Sequence, residues 1–509
     1  MSNQLQAFKA LITYAVIVPM AIFVGYMLAD PLRYSTFGAV GVVLGVMIFP
    51  LLLKWHQPLL LFSWNMSVVI PFIKGQPYLW LVMSAATLGI AILERALNRD
   101  MRFVQVWSLS LPLIFFVGVI LFTAKMTGGI GLRTFGSEVY GGRKYIFLLG
   151  AIAAYFALTA WRVPPHRAKL YVGLFFLGAL THFVGDLVQV VPAWLYPLFW
   201  FFPPTIAMNP DGGTRLAGTA TAAQAVYFFI LLRYGIRGVF LEGKPLRIAL
   251  LGLFFVISLV GGYRSTLLAN VLVFVFLFFL EGLHRTKLML TFILLGILGA
   301  AALIPTASKL PYSIQRALAV VPESILPDLD PIARWSAEDS SRWRLEMWEA
   351  LLPQVPQYLW LGKGYAISQE DWQMMGYDTS FRAMSADEQT LALAGDYHNG
   401  PLSIILPFGI WGVLAVGAFF IAGARVLYCN YRYGDPALKQ LNTLLLALFL
   451  MRITMFLFVV GALDRDLWIF VGLFGFSVSM NNGMARPVPE LATEPASVPV
   501  EMLPRPSSP

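Results

Sequence analysis

Residues 264–305 read RSTLLANVLVFVFLFFLEGLHRTKLMLTFILLGILGAAALIP. Two apolar runs, 266–283 and 287–305, flank a short break that carries Arg285 and borders Lys287. A helix needs about 20 apolar residues to cross a hydrocarbon layer roughly 30 Å thick. The stretch therefore predicts two membrane spans joined by a basic connection. The same pattern recurs along the chain, near 10–28, 34–53, 58–73, 77–96, 103–123, 144–161, 168–190, 215–234, 244–262, 400–424, 438–460 and 467–481. A further apolar stretch, VPAWLYPLFWFFPPTI at 191–206, is broken by prolines and is expected to lie at the interface or to re-enter. Composition agrees: of 509 residues 58% are hydrophobic and only 12% charged, half the charge of soluble domains. The mean hydropathy is +0.71. The predicted fold is all-α, a polytopic integral membrane helical bundle of 12–14 transmembrane helices with one large, partly helical extracytoplasmic loop.

The net charge of +9 is a topology signal rather than a nucleic-acid one. With the N-terminus inside, the inner connections and tail carry 19 Lys and Arg and the short outer loops carry 9. That asymmetry predicts an N-in, C-in orientation. The first apolar stretch lacks a small-residue cleavage site and reads as an uncleaved span. Four regions follow: transmembrane helices over 1–305, the large loop over 306–399, C-terminal transmembrane helices over 400–481, and a disordered Pro-rich cytoplasmic tail over 485–509. The loop contains 7 Lys/Arg and 13 Asp/Glu, so the excess positive charge lies elsewhere. Its amphipathic segment SSRWRLEMWEALLPQV and the turn LGKGYAIS suggest a small helical cap. Cys429, the sole cysteine, excludes an intrachain disulfide and a multi-Cys metal site.

Four features map to the outer side. Arg215 lies in NPDGGTRLAGT before a span, and Arg264 lies in GGYRSTLLAN between two spans. Arg344 follows Arg342 in SSRWRLEMW, and His398 opens HNGPLSIILPFGIWG where the loop meets the membrane. Taken singly each has an ordinary explanation: boundary arginines snorkel to headgroups, Arg342 and Arg344 can pair with Glu346 or Glu349, and an interfacial histidine can cap a helix. Together, three arginines on one face suit a diphosphate, because guanidinium forks match phosphate oxygens in pairs. A histidine titrating near neutrality suits removal of a hydroxyl proton.

The order and spacing of these pieces resemble the O-antigen ligase and polymerase superfamily of bacterial membrane glycosyltransferases. The resemblance runs from about 210 to 415 and rests on R-L-A-G at Arg215–Gly218, Tyr-Arg-Ser around Arg264, and R-x-x-x-W at Arg344–Trp348. It continues through Pro356, Gly362 and Gly364, then H-N-x-x-L from His398 and Asn399, and G-x-x-G at Gly409 and Gly412. The chain departs from the family pattern at Tyr263, where serine is common, and at Ala220–Ala225, where a Pro-Asn pair is common. The resemblance implies an inverting transfer of a glycan from a polyprenyl (undecaprenyl) diphosphate donor to a hydroxyl acceptor. That acceptor would be lipid A core, another glycan or a similar group, on the outer face of the bacterial inner membrane. In that reading Arg215, Arg264 and Arg344 bind the diphosphate, with Arg342 in reserve. His398 takes or orients the acceptor proton, Asn399 positions the acceptor, and Lys363 and Arg382 are available near it. No cofactor or metal is required. The acidic pairs Asp328/Asp330 and Asp464/Asp466 are weighed as metal ligands, but Arg465 between the latter offers a salt-bridge explanation.

Other readings stay open. Within the superfamily the chain is a ligase or a polymerase. Outside it, His182 and Asp186 share a helix face and suit the proton relay of a transporter or flippase, although no internal repeat is seen. A scaffold for envelope assembly would use the Pro-rich tail.

Overall fold

The computed structural model describes residues 34–73, 75–98, 103–128, 142–208, 214–366 and 395–487, with a few positions between 18 and 26. Most of the expected first span at 10–28 and nearly all of the tail lie outside the described residues, as does Arg382. The chain is a predominantly helical bundle. In order, α1 spans Tyr34–Ser63, α2 Leu79–Leu97, α3 Trp107–Thr127 and α4 Gly142–Thr159. Then α5 covers Pro165–Gln189 as a helix interrupted by 3-10 turns. Strands β1 (Ile206–Met208) and β2 (Thr214–Leu216) pair antiparallel, with Ala207 opposite Arg215. Helices α6 (Ala217–Phe240), α7 (Pro245–Ile257), α8 (Arg264–Leu280) and α9 (Leu288–Leu303) follow. The segment after them holds α10 (Tyr312–Leu318) and α11 (Pro331–Leu351). The chain returns through α12 (Leu402–Tyr433), α13 (Lys439–Phe458) and α14 (Leu463–Asn481).

The polytopic helical bundle expected from the sequence is observed, with one expected span placed differently. Among the described residues six helices are long and apolar enough to cross a membrane, or seven counting α1, which bends at Pro50. Other expected spans are short helices, as α7 and α8 are, or carry charges in their end turns. Arg143 and Lys144 open α4, and Asp464, Arg465 and Asp466 open α14. The expected span at 58–73 is no separate helix. Its first residues complete α1, and the breakers Pro71, Gly75 and Pro77 turn the chain so that Val69 bridges Tyr78. Beside the helices lies the short β1–β2 ribbon. The Pro-broken stretch does not span: Ala193–Trp200 is a 3-10 helix that exposes Trp194 and Tyr196.

The core is built from α4 against α14, α3 against α12, and α8 against α13. Aromatic rings fill it; Phe175 stacks on Phe476 at 4.4 Å, and Trp64 lies 5.8 Å from Trp80. By contrast α9, an almost purely aliphatic helix, buries none of its residues among those described. An apolar helix exposed all round is stable only in lipid.

Two left-handed glycines explain the Gly-rich motifs. Gly409 breaks α12 with φ +61°, and Ile410 N–H donates to the Leu359 carbonyl at 2.7 Å. Against that break lies the turn at 362–364, where Lys363 N–H donates to Leu406 and Gly364 N–H to Pro407. A Cβ at Gly362 would sit 2.2 Å from the Pro407 carbonyl oxygen. The Gly362–Gly364 turn is therefore a packing element that wedges the start of α12 in place.

Candidate active site

The first turns of α6, α8 and α12 and one face of α11 meet at one end of the bundle. Asp186 organises the entry to α6. Its carboxylate accepts from Thr219 N–H at 2.6 Å, Gly218 N–H at 3.2 Å and the Thr205 and Thr219 hydroxyls at 2.6 and 2.8 Å. This places a buried anion on the helix N-terminus, where the free N–H groups and dipole favour it. Gly218 must be glycine, because a Cβ there would lie 2.1 Å from the His182 carbonyl oxygen. The strand before it, β2, holds Arg215, whose guanidinium stands 5.6 Å from the Tyr263 ring centre.

Arg264 is the first residue of α8, reached through a tight turn at Gly261 and Gly262. Its guanidinium donates to the Ser341 hydroxyl of α11 at 2.9 Å. On α11 the residues Ser341, Arg344, Leu345 and Trp348 fall at i, i+3, i+4 and i+7, one face of a helix, and all four line the same cavity. That cavity encloses about 360 Å³ and brings together Arg215, Arg264 and Arg344, the three arginines expected from the sequence. Among the described residues none of the three has a carboxylate at ion-pair distance. Burial, and next the neighbouring Arg264, hold the Arg344 guanidinium below its ordinary pKa. Its Nε and that of Arg215 are buried without a hydrogen-bond partner among the described residues. The site concentrates positive charge that an anion would relieve.

His398 sits beside this cavity with φ +48°, a left-handed conformation that side chains rarely adopt. Its imidazole meets the Trp343 ring edge-to-face at 5.3 Å, and Nε2 lies 3.8 Å from Asp396 Oδ1. The other Asp396 oxygen accepts from Arg465 of α14. Burial lowers the His398 pKa; Asp396 raises it, while Arg344, Arg465 and Lys144 lower it. The net direction is downward, so the imidazole is neutral near pH 7 and able to accept a proton. Trp348 fixes the loop by donating its indole N–H to the Tyr397 carbonyl at 2.8 Å.

Residues 248–417 match the family model described as O-antigen ligase. Over these residues the chain is similar to that family. None of the curated proteins matches the chain. The chain is a multi-pass membrane protein by its long apolar helices. The matched domain holds Arg264, Arg344 and His398, whereas Arg215, Asp186 and Arg465 lie outside it.

The remaining expected site residues lie elsewhere. Arg342 does not line the arginine cavity; its exposed side chain pairs with Asp339 one turn earlier. Asn399 accepts from Leu402 N–H at 3.0 Å and so caps the entry to α12. Lys363 is part of the turn packed on α12. The acidic pairs also have partners: Asp330 caps α11, Asp464 pairs with Lys144, and Asp466 with Arg452. Asp186, offered by the transporter reading as half of a relay, is engaged at the α6 entry. Sequence reasoning missed two residues. Arg316 of α10 donates to the Gly262 carbonyl at 2.8 Å and the Ser336 hydroxyl at 3.0 Å, clamping the Arg264 turn to α11. Asp396, two residues before His398 in GDYHN, was counted only as loop charge.

Proposed function

We propose that the chain transfers a glycan from a polyprenyl diphosphate to a hydroxyl acceptor such as lipid A core, on the outer face of the bacterial inner membrane. The observation that carries this reading is the cavity in which Arg215, Arg264 and Arg344 converge without carboxylate partners among the described residues. A diphosphate supplies the missing charge, and three guanidinium groups supply paired donors for its oxygens. Negative charge grows on the leaving diphosphate as the anomeric C–O bond breaks. Fixed cations in a water-poor site stabilise that change without reorganising. The acceptor oxygen attacks the anomeric carbon from the opposite side, which inverts the centre, and its proton passes to the His398 imidazole. Arg316 and Asp186 hold the two arginine-bearing turns in place.

The test is turnover of a polyprenyl-diphosphate oligosaccharide in proteoliposomes, with donor binding measured in parallel. Arg264→Ala should lose turnover and weaken donor binding, and His398→Ala should lose turnover with donor binding retained. Normal turnover in both correctly inserted variants would reject the assignment and return the transporter reading to the front.

A further inference from the structure

A second cavity, of about 520 Å³, opens near His398 and shares no lining residue with the arginine cavity. It is reached from His398 through Asp396 and Arg465, not through Arg344. Arg465 lines it while holding the Asp396 carboxylate that faces the imidazole. Its walls combine two kinds of surface. Tyr78 and Trp468 supply aromatic surface, and the buried Trp80 backs Trp468 by stacking on it at 5.6 Å. Arg143, Lys144 and Asp464 supply charged groups.

The charge balance here differs from that of the arginine cavity. Lys144 Nζ lies 3.3 Å from Asp464 Oδ2, and Arg465 pairs with Asp396. Most of the positive charge is thus compensated inside the protein, which disfavours a diphosphate. Yet Asp464 Oδ1 is buried without a hydrogen-bond partner among the described residues, and Lys144 Nζ has only its Asp464 ion pair, with donor capacity to spare. Unmet donors and acceptors beside flat aromatic rings suit a ligand that is apolar on one face and hydroxylated at its rim. A pyranose ring has that chemistry: C–H groups on its faces and hydroxyls around its edge. The volume falls within the range of ligand sites, about 300–1,000 Å³.

We infer that this cavity is the saccharide subsite for the hydroxyl acceptor. The inference rests on the glycosyl-transfer reading above for its place in the reaction. An acceptor sugar held here approaches His398 from the Asp396 side, while the donor diphosphate lies on the Arg344 side. The acceptor hydroxyl and the departing diphosphate then lie on opposite sides of the anomeric carbon, as direct displacement needs, with His398 on the hydroxyl side. The acceptor sugar comes either from a lipopolysaccharide core or from a second glycan repeat, and both present the same pyranose chemistry.

The experiment uses the full chain in nanodiscs and three probes, measured by calorimetric titration. These are deacylated lipopolysaccharide core oligosaccharide, free O-antigen oligosaccharide and undecaprenyl diphosphate. The double variant Tyr78→Ala/Arg143→Gln alters two exposed side chains and spares the buried ion pairs. Wild type should bind one of the two oligosaccharides, and the double variant should bind it at least ten-fold more weakly. Its affinity for undecaprenyl diphosphate should stay within two-fold. Which oligosaccharide binds identifies the acceptor source. If wild type binds neither, or if the double variant binds as well as wild type, the subsite is wrong. Arg264→Ala separates the two claims, since it should lose undecaprenyl diphosphate and keep the oligosaccharide. Unchanged diphosphate binding in that variant would refute the donor reading and leave the saccharide subsite standing.

Discussion

Arg342 and Arg344 lie two residues apart on α11, hence about 200° apart around the helix, and the structure gives them opposite surroundings. Arg344 is largely buried in the arginine cavity, with its guanidinium 5.5 Å from the Trp343 ring centre. Arg342 is 62% exposed and pairs with Asp339. Substituting each with glutamine should separate chemistry from surface charge. In Arg344→Gln a bidentate phosphate contact is lost, two charge-assisted hydrogen bonds of about 1.5–3 kcal/mol each. Only the part that strengthens as the diphosphate departs slows the reaction. About 3 kcal/mol is a reasonable share, equivalent to roughly 10²-fold in kcat/KM. Stability should barely move, because the lost cation–π contact, about 0.5–1 kcal/mol, is offset by removing a charge whose Nε has no partner among the described residues. Arg342→Gln gives up an exposed ion pair worth less than about 1 kcal/mol, so its rate should stay within two-fold. The assay is transfer from a polyprenyl-diphosphate oligosaccharide by reconstituted protein, with thermal unfolding in detergent as the control. Equal losses of activity in both variants, or an Arg344→Gln protein that transfers normally, would refute the division of roles.

Asp396→Asn tests the histidine. Asp396 raises the His398 pKa against burial and three cations, so removing its charge lowers that pKa further. The acid limb of the kcat/KM profile, where a protonated imidazole stops transfer, should move to lower pH; a lower rate with an unmoved limb would mark Asp396 as merely structural. Gly362→Ala meets the Pro407 carbonyl oxygen at a left-handed φ of +73°, and should destabilise the protein by about 2–4 kcal/mol, read as a drop in Tm. Asp186→Ala strips the α6 entry of its acceptor, costing about 2–4 kcal/mol and raising the donor KM through Arg215. If that variant is normal in transfer but fails in substrate translocation, the relay reading regains its footing.

Much of this site was legible because charge is rare in the chain. An arginine beside a long apolar run needs water or an anion, so Arg215, Arg264 and Arg344 stood out from the sequence, and the fold gathers them in one cavity. Helix phase separates Arg344 from Arg342, but the exposed charges of α11 hid which face was buried until α8 supplied the contact at Ser341. Asp396 and Arg316 were harder to find. Their importance comes from contacts across distant sequence, Asp396 with Arg465 and Arg316 with Gly262, and no local pattern encodes such pairs. The reading of 58–73 as a separate span differs from the fold for a related reason. Hydropathy does not register that Pro71, Gly75 and Pro77 turn the chain, or that α7 and α8 are short because they end at the site.

The cations at this end of the bundle divide by whether the protein neutralises them. Lys144, Arg452 and Arg465 each face an aspartate, and those pairs tie α4, α13, α14 and the His398 loop together. A half-buried ion pair broken on one side leaves an uncompensated charge at high cost, so these residues act as joints. Arg215, Arg264 and Arg344 have no such partner among the described residues, and their neighbours are serine hydroxyls, aromatic rings and one another. Holding three like charges together without a counterion works against folding. Such an arrangement is sustained when the fold around it is rigid for other reasons, and here the Asp186 cap, the Arg316 clamp and the Gly362–Gly364 wedge provide that rigidity. The stored electrostatic cost is released when a polyanion enters. On the proposed reaction, the same preorganisation would stabilise a diphosphate more strongly as it leaves than while it is bound to sugar.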